Sequence, residues 1–465
     1  MRYLLLVIKK STLPLIAFLA LLWSCERYDF VSDGSVSLKF SADTVSFDTI
    51  FSPIGSATFT CKVYNRSSKN LIIDEVFLGK GNASPFLMNV DGRAGYSVRN
   101  LRLAKEDSLH IFLEVQKNSA QPLLTDSIVF AMGNTRQHLG LMAYAQEVVL
   151  FEKDTVLKNA FTFTAEKPYL ILGSITVDSS VTATVDAGAK LFFGKNCGII
   201  VNGKLVVNGL SSSPCIFSHP RYKEDWYSDA SGQWQGITVN ASGKIEAVFA
   251  QLQGARQAFY VQDTLSTAVS KPQLNVSRSK IENSEVGVNV CNGSAHIDNC
   301  LIAHSATNAL LLQGGTCKVY QATFATYSTA QGYHSAQVVV QNFRLRGVRD
   351  TVSAPLDSAT FGNCIIYGSN VSELSINQRL GTDMRYQFES CIIKSKAGLN
   401  GFISVKNEDP KFKDVSKNDF HLSENSPAIH GSKSIADSYK IDLDGFDRTI
   451  EQDSSMGCYV YRKLQ

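Results

Sequence analysis

Val181-Thr182-Ala183-Thr184-Val185-Asp186-Ala187-Gly188-Ala189-Lys190-Leu191-Phe192-Phe193 is followed almost at once by Gly198-Ile199-Ile200-Val201-Asn202-Gly203-Lys204-Leu205-Val206-Val207-Asn208-Gly209. Both stretches are β-branched and large apolar residues cut into short lengths by Gly, Asn and Asp, the punctuation of strands joined by tight turns. Apolar residues do not recur at helical spacing. The texture continues through Pro214-Cys215-Ile216-Phe217-Ser218 and Trp234-Gln235-Gly236-Ile237-Thr238-Val239.

This succession resembles the opening rungs of right-handed parallel β-helices. Further on a phrase returns: Ile281-Glu282-Asn283-Ser284, Ile297-Asp298-Asn299-Cys300, Phe361-Gly362-Asn363-Cys364 and Phe388-Glu389-Ser390-Cys391. The step from Asn283 to Asn299 is short and the step from Asn363 to Ser390 is long. The two bracket the roughly 20 to 25 residues of a solenoid coil, with loops of uneven length between strands. A coil cannot bury its apolar row alone, so neighbours must stack on it. The Asn or Ser of each phrase is expected at a turn, where polar side chains of successive coils bond along the axis.

Near the end stand, in order, Asp409-Pro410-Lys411-Phe412, Asn418-Asp419-Phe420-His421-Leu422, Ser426-Pro427-Ala428-Ile429, Asp442-Leu443-Asp444-Gly445 and Met456-Gly457-Cys458-Tyr459-Val460-Tyr461. This order resembles the C-terminal motif that closes many β-helix proteins of bacterial surfaces. His430 and Cys458 depart from it, where the family has an aspartate and an alanine. A cap is expected there, since an open last coil exposes an unpaired strand edge.

Before residue 150 the pattern is also strand-like. Val36, Leu38 and Phe40 alternate with polar residues, and Ala57–Tyr64 and Leu109–Val115 are further runs around the turn cluster Asn65–Asn70. About seven such strands fit a β-sandwich. Phe40–Thr49 and Ser84–Gly92 resemble phrases of the immunoglobulin-like modules of Bacteroidota surface lipoproteins. The expected fold class is all-β: an immunoglobulin-like β-sandwich over 36–149, a right-handed parallel β-helix over 150–405 and a closing segment over 406–465.

The first residues give an address. Arg2, Lys9 and Lys10 precede the apolar run Leu13 to Trp23, which is too short to span a bilayer, and Leu22-Trp23-Ser24-Cys25 ends it. That is the plan of a secretory signal peptide over 1–24. Its end resembles the lipobox of bacterial lipoproteins, which implies acylation of Cys25, a tether over 25–35 and a membrane partner reached through lipid. Glu26 follows, not the aspartate of inner-membrane retention, so the resemblance implies the outer membrane. Without the leader, basic and acidic residues balance. No bulk charge draws a phosphate backbone, and nucleic acid is not an expected partner. Nine further cysteines (Cys61, Cys197, Cys215, Cys291, Cys300, Cys317, Cys364, Cys391 and Cys458) form no CxxC. Cys300, Cys364 and Cys391 each precede two apolar residues and read as small buried hydrophobes.

Chemistry is sparsely written. Glu282 and Asp298 hold equal places in consecutive phrases, so they could stack about 5 Å apart, and two such carboxylates are what glycoside hydrolysis requires. They suit solvated turns equally. Asp442 and Asp444 lack a full calcium ladder. No cofactor or metal is expected, and no catalytic residue is assigned. Asp followed by Ser or Thr and an apolar residue, as at Thr44, Thr49 and Ser108, is similar to an O-glycosylation sequon of Bacteroidota, and fits strand entry as well. In the insertion 221–233, Trp226 and Tyr227, with Trp234 beyond it, are the candidates for sugar stacking, although Trp234 also suits a core position. The expected function is non-catalytic binding of carbohydrate or another surface macromolecule. The alternatives are a polysaccharide lyase or glycosidase, and a purely structural envelope protein. Carboxylates and bases in one groove would favour the enzyme, and a face of Asn, Ser and Thr would favour binding.

Overall fold

The computed structural model describes residues 29–47, 49–116, 122–224, 227–240, 242–263, 273–327, 335–346, 350–396, 399, 402–433, 439–449 and 455–463. The leader, Cys25 and Trp226 lie outside them. The chain divides into two compact units between Glu147 and Val148.

In the first unit, strand alternation makes two sheets share one core. Leu109, Ile111, Leu113 and Val115 of Ser108–Val115 are buried while the residues between them face out. That strand lies in a five-stranded sheet, between Phe59–Tyr64 and Phe86–Val90. A seven-stranded sheet built around Asn70–Leu78, Leu123–Met132 and Thr135–Gln146 supplies Leu71, Ile73, Phe130 and Leu141 to the same core.

The second unit is a parallel β-helix. Three strands per coil stack into sheets of ten, nine and nine strands, called sheets 1, 2 and 3 in the order the chain visits them. The opening stretch contributes Thr182–Asp186 to sheet 3, Lys190–Phe193 to sheet 1, Gly198–Val201 to sheet 2 and Lys204–Asn208 to sheet 3 again. Val185 stands on Val207, one coil further on, in parallel register. One apolar core runs through the stack, and rings lie flat on one another: Phe193 on Trp234 at 4.4 Å and Phe361 on Phe388 at 4.4 Å. Phe151, Phe161, Phe163 and Tyr169 cluster at the first coils. Leu399, Phe402 and Val405 pack on the last, with Phe402 4.8 Å from Phe388.

Register corrects the reading of the repeated phrase. Asp298 stands on Ser277 and under Tyr320, so successive coils here run from Ser277 to Asp298 and from Asp298 to Tyr320. Asn299, Gln321, Asn363 and Ser390 occupy one corner, between sheets 3 and 1, all with φ from 50° to 54°. Asn283 belongs to a different corner, between sheets 1 and 2, where it stands beside His304. The short step from Asn283 to Asn299 therefore joins two turns of a single coil. Both corners need a left-handed residue, and Asn tolerates that conformation best after Gly.

After the corner between sheets 3 and 1, each coil from Ala189 on places a small inward residue: Ala189, Cys215, Ala250, Ser279, Cys300, Ala322, Cys364 and Cys391. The Cys300, Cys364 and Cys391 thiols each donate to the carbonyl two residues earlier, at 3.1, 3.2 and 3.2 Å, as the Ser279 hydroxyl does at 2.8 Å. A buried carbonyl beside the turn thereby gains a partner. The nine described cysteines are free and buried.

The paired apolar residues after these cysteines also acquire a reason. Ile302, Ile366 and Ile393 point into the core, while Leu301, Ile365 and Ile392 point out of sheet 1 and are buried as well. They lie under the C-terminal segment, which runs back along this flank and sets Phe420, Leu422, Met456, Cys458 and Tyr459 on them. A strand covered on both faces reads as a continuous apolar run. The corner amides dock the segment. Asn363 exchanges two bonds with the backbone of Lys433, Asn299 accepts from Arg448, and the Gln321 amide group donates to the carbonyls of Ser455 and Gly457. The polar corner residues thus bond outward to the segment more than along the axis.

Candidate functional site

Sheet 2 presents two outward columns. One is Thr176, Ile200, Thr238, Tyr260, Asn289, Leu311, Val339 and Ser375; the other is Asn202, Asn240, Gln262, Cys291, Gln313, Gln341 and Asn377. Neither contains a carboxylate. Three amides of these columns link up with Gln257, which pairs with Val286 and belongs to neither column. Asn289 donates to Gln257 Oε1 at 2.9 Å, Gln313 donates to Asn289 Oδ1 at 3.0 Å, and Gln341 donates to Gln313 Oε1 at 3.5 Å. One amide per coil gives a polar row that runs diagonally across the sheet, since Gln257 pairs with Val286 and Asn289 with Leu311, and Gln313 alone pairs directly with the next member, Gln341. Gln257 and Gln313 are half-buried and keep further donor or acceptor capacity beyond the row, while Asn289 and Gln341 are buried and hold them in place.

Insertions stand at both borders. At the corner toward sheet 3, Phe343–Arg346 pairs with Asp350–Ser353 as a hairpin. Arg344 reaches from it across two coils and donates to the Asp263 carbonyl at 3.4 Å, with Cys291 Sγ 3.7 Å away. Its Nε is buried with no hydrogen-bond partner among the described residues. Tyr260 lies beneath; burial pushes its hydroxyl pKa up. At the corner toward sheet 1 lies the insertion that follows His219. The Ser228 carbonyl accepts from Gln253 and Asn283, and Arg221 pairs with Glu224 at 2.6 Å. Burial holds the His219 pKa down at about 4.

Of the stacking candidates, Trp234 is corrected by the structure. It is fully buried, flat on Phe193, with its indole N–H donated to the Gln253 carbonyl at 2.8 Å. Tyr227 is half-buried and the Arg221 guanidinium sits 3.8 Å over its ring, so one face is already covered. Glu282 and Asp298 do not stack. Glu282 is on sheet 1, paired with Lys280 at 3.0 Å, and Asp298 is on sheet 3, accepting from Ser277 at 2.8 Å. Burial raises the Asp298 pKa. Asp442 binds the amides of Phe446 and Val460, and Asp444 binds His421. Gln257, Asn289, Gln313, Gln341 and Arg344 had no sequence signal. The intervals between successive amides of the row differ from one another, because they follow loop lengths and not a period.

No family model matches the chain, and no curated protein matches it. Among solved structures it is similar to a family 123 glycoside hydrolase from Clostridium perfringens, described in work on glycolipid glycan hydrolysis. The identity is 8%, over 26% of this chain and 30% of that one, with a TM-score of 0.18. The chain thus spans less than a third of that enzyme's length, and a likeness of this size carries no argument about fold or function.

Proposed function

We propose that the protein is a cell-envelope lipoprotein of Bacteroidota type, tied to the outer membrane through Cys25, that binds a polar glycan on sheet 2 without cleaving it. The observation that carries this reading is the row Gln257, Asn289, Gln313 and Gln341: fixed amides, one per coil, with no carboxylate in the outward columns. Amides offer a hydroxyl-rich chain both donors and acceptors. Acid–base cleavage of a glycosidic bond calls for two carboxylates flanking it. The basic leader and its terminal cysteine support the anchor. The first unit serves in this reading as a spacer.

The test is a glycan array together with a polysaccharide depolymerisation screen on residues 26–465. Binding without product release is expected, and Gln313→Leu is expected to weaken it at least about tenfold. Product release would overturn the non-catalytic reading. Binding indifferent to Gln313→Leu and Asn289→Leu would overturn the site. Globomycin treatment of producing cells tests the anchor: accumulation of the uncleaved precursor is expected, and normal maturation would refute lipidation.

A further inference from the structure

A cleft of about 230 Å³ opens on the opposite corner, where the C-terminal segment meets the junction of sheets 3 and 1. Ser211, Phe249, Gln251, Arg278, Lys280, Asp444 and Tyr459 contribute to its walls. It is smaller than drug-sized sites, so its occupant is a small molecule or one residue of a chain.

Three features distinguish this place from the rest of the corner. First, Phe249 and Arg278 both stand at φ 48°, in the position that later coils give to Asn299, Gln321 and Asn363. A bulky residue is disfavoured there, and such strain gathers at ligand sites. Second, the Arg278 guanidinium lies 5.3 Å over the Phe249 ring and its Nε is buried with no hydrogen-bond partner among the described residues. Its charge is felt by Asp298, which is itself hydrogen-bonded to Ser277 and Asn299. Third, the carboxylate in the wall is already engaged. Asp444 accepts from His421 at 2.8 Å, and Glu282 behind Lys280 holds that amine at 3.0 Å. His421 stacks on Tyr459 with centroids 3.9 Å apart, which fixes the ring that forms one wall.

We propose that this cleft is a second ligand site, taking a small ligand that carries an anionic oxygen group (carboxylate, sulfate or phosphate) on a body with an apolar face. The Arg278 guanidinium and the Lys280 amine receive the anion, the Phe249 and Tyr459 rings receive the apolar face, and Gln251 and Ser211 bond polar groups at the rim. Guanidinium on an aromatic ring is a rigid, weakly hydrated anion receptor. The site is independent of the amide row, which lies on another sheet.

The experiment is isothermal titration of residues 26–465 with glucuronate, glucose and inorganic sulfate at low ionic strength. Arg278→Asn suits the left-handed corner and removes the guanidinium, so the fold is retained and the melting temperature is unchanged or higher. Glucuronate is expected to bind at least about tenfold tighter than glucose, and Arg278→Asn and Lys280→Gln are each expected to weaken it by a similar factor. Gln313→Leu leaves it unchanged. Sulfate binding with the same dependence on Arg278 assigns the site to free anions; glucuronate without sulfate assigns it to sugar acids. Equal affinity for glucose and glucuronate, binding indifferent to both substitutions, or no binding of either anion at millimolar concentration overturns the proposal.

Discussion

Trp234 gives the sharpest test of the core. Its indole is fully buried, stacked at 4.4 Å on Phe193, and donates to the Gln253 carbonyl at 2.8 Å. Truncation to alanine removes a large aromatic from a close-packed stack, which costs about 3–5 kcal/mol. Phenylalanine keeps most of the stack. It loses one hydrogen bond, about 1 kcal/mol, and part of the ring area, about another 1 kcal/mol. The Gln253 carbonyl still accepts from the Ser218 hydroxyl at 3.3 Å, so no bare acceptor is added. The expected ranking is therefore a loss of about 4 kcal/mol for Trp234→Ala and about 2 kcal/mol for Trp234→Phe. Urea unfolding followed by far-UV circular dichroism reads both. A loss under about 1 kcal/mol for Trp234→Ala, or lost glycan binding at unchanged stability, would refute the core assignment and restore the residue to a binding role.

The other expectations concern the corner and the C-terminal segment. Asn363→Ala should destabilise docking by about 3 kcal/mol, from a left-handed backbone position and two lost bonds to Lys433. Limited proteolysis should then release the segment, Asn363→Gly should recover part of the loss, and equal protease resistance in all three proteins would contradict the docking role. His421 is held between Asp444 and Asp419, and its hydrogen bond to Asp444 raises its pKa above 6.5. A raised value in the folded state means that the docking gain is full below 6.5 and fades as pH rises through the elevated pKa. A histidine NMR titration with its midpoint at or below 6.5 would sink this account. All nine described cysteines are buried, and burial raises the thiol pKa of several, Cys215 and Cys317 to about 12, so enclosure of the nine should keep the folded protein from reacting with a disulfide reagent there. Labelling at the rate of a free thiol would be inconsistent with the stack.

The repeated phrase shows how far the sequence could be read. Asn363-Cys364 and Ser390-Cys391 are true neighbours, because the corner demands a left-handed residue and then a small inward one. Asn283-Ser284 has the same local chemistry at a different corner, with Ser284 also fully buried, and nothing local distinguishes the two. The pair Glu282 and Asp298 rested on that confusion. Trp234 was open for a similar reason: an aromatic beside a Gly-rich turn suits a sugar platform or a core, and its burial depends on Phe193, which comes from the preceding coil.

The class of the fold was legible in the residues alone. Short β-branched strands, left-handed corners and inward apolar rows are local requirements, and each coil must meet them to be covered by the next. The basic, apolar and cysteine-ended leader that motivates the envelope reading is equally local. Which residues meet is a matter of tertiary structure. Asp298 stands on Ser277 after a short coil, whereas Gly362 stands on Tyr320 after a coil lengthened by its insertions, and loop length obeys no period. The amide row across sheet 2 and the Arg278 cleft are products of that register. Their members come from separate coils, distant along the chain, and stacking at the strand spacing is what makes them neighbours.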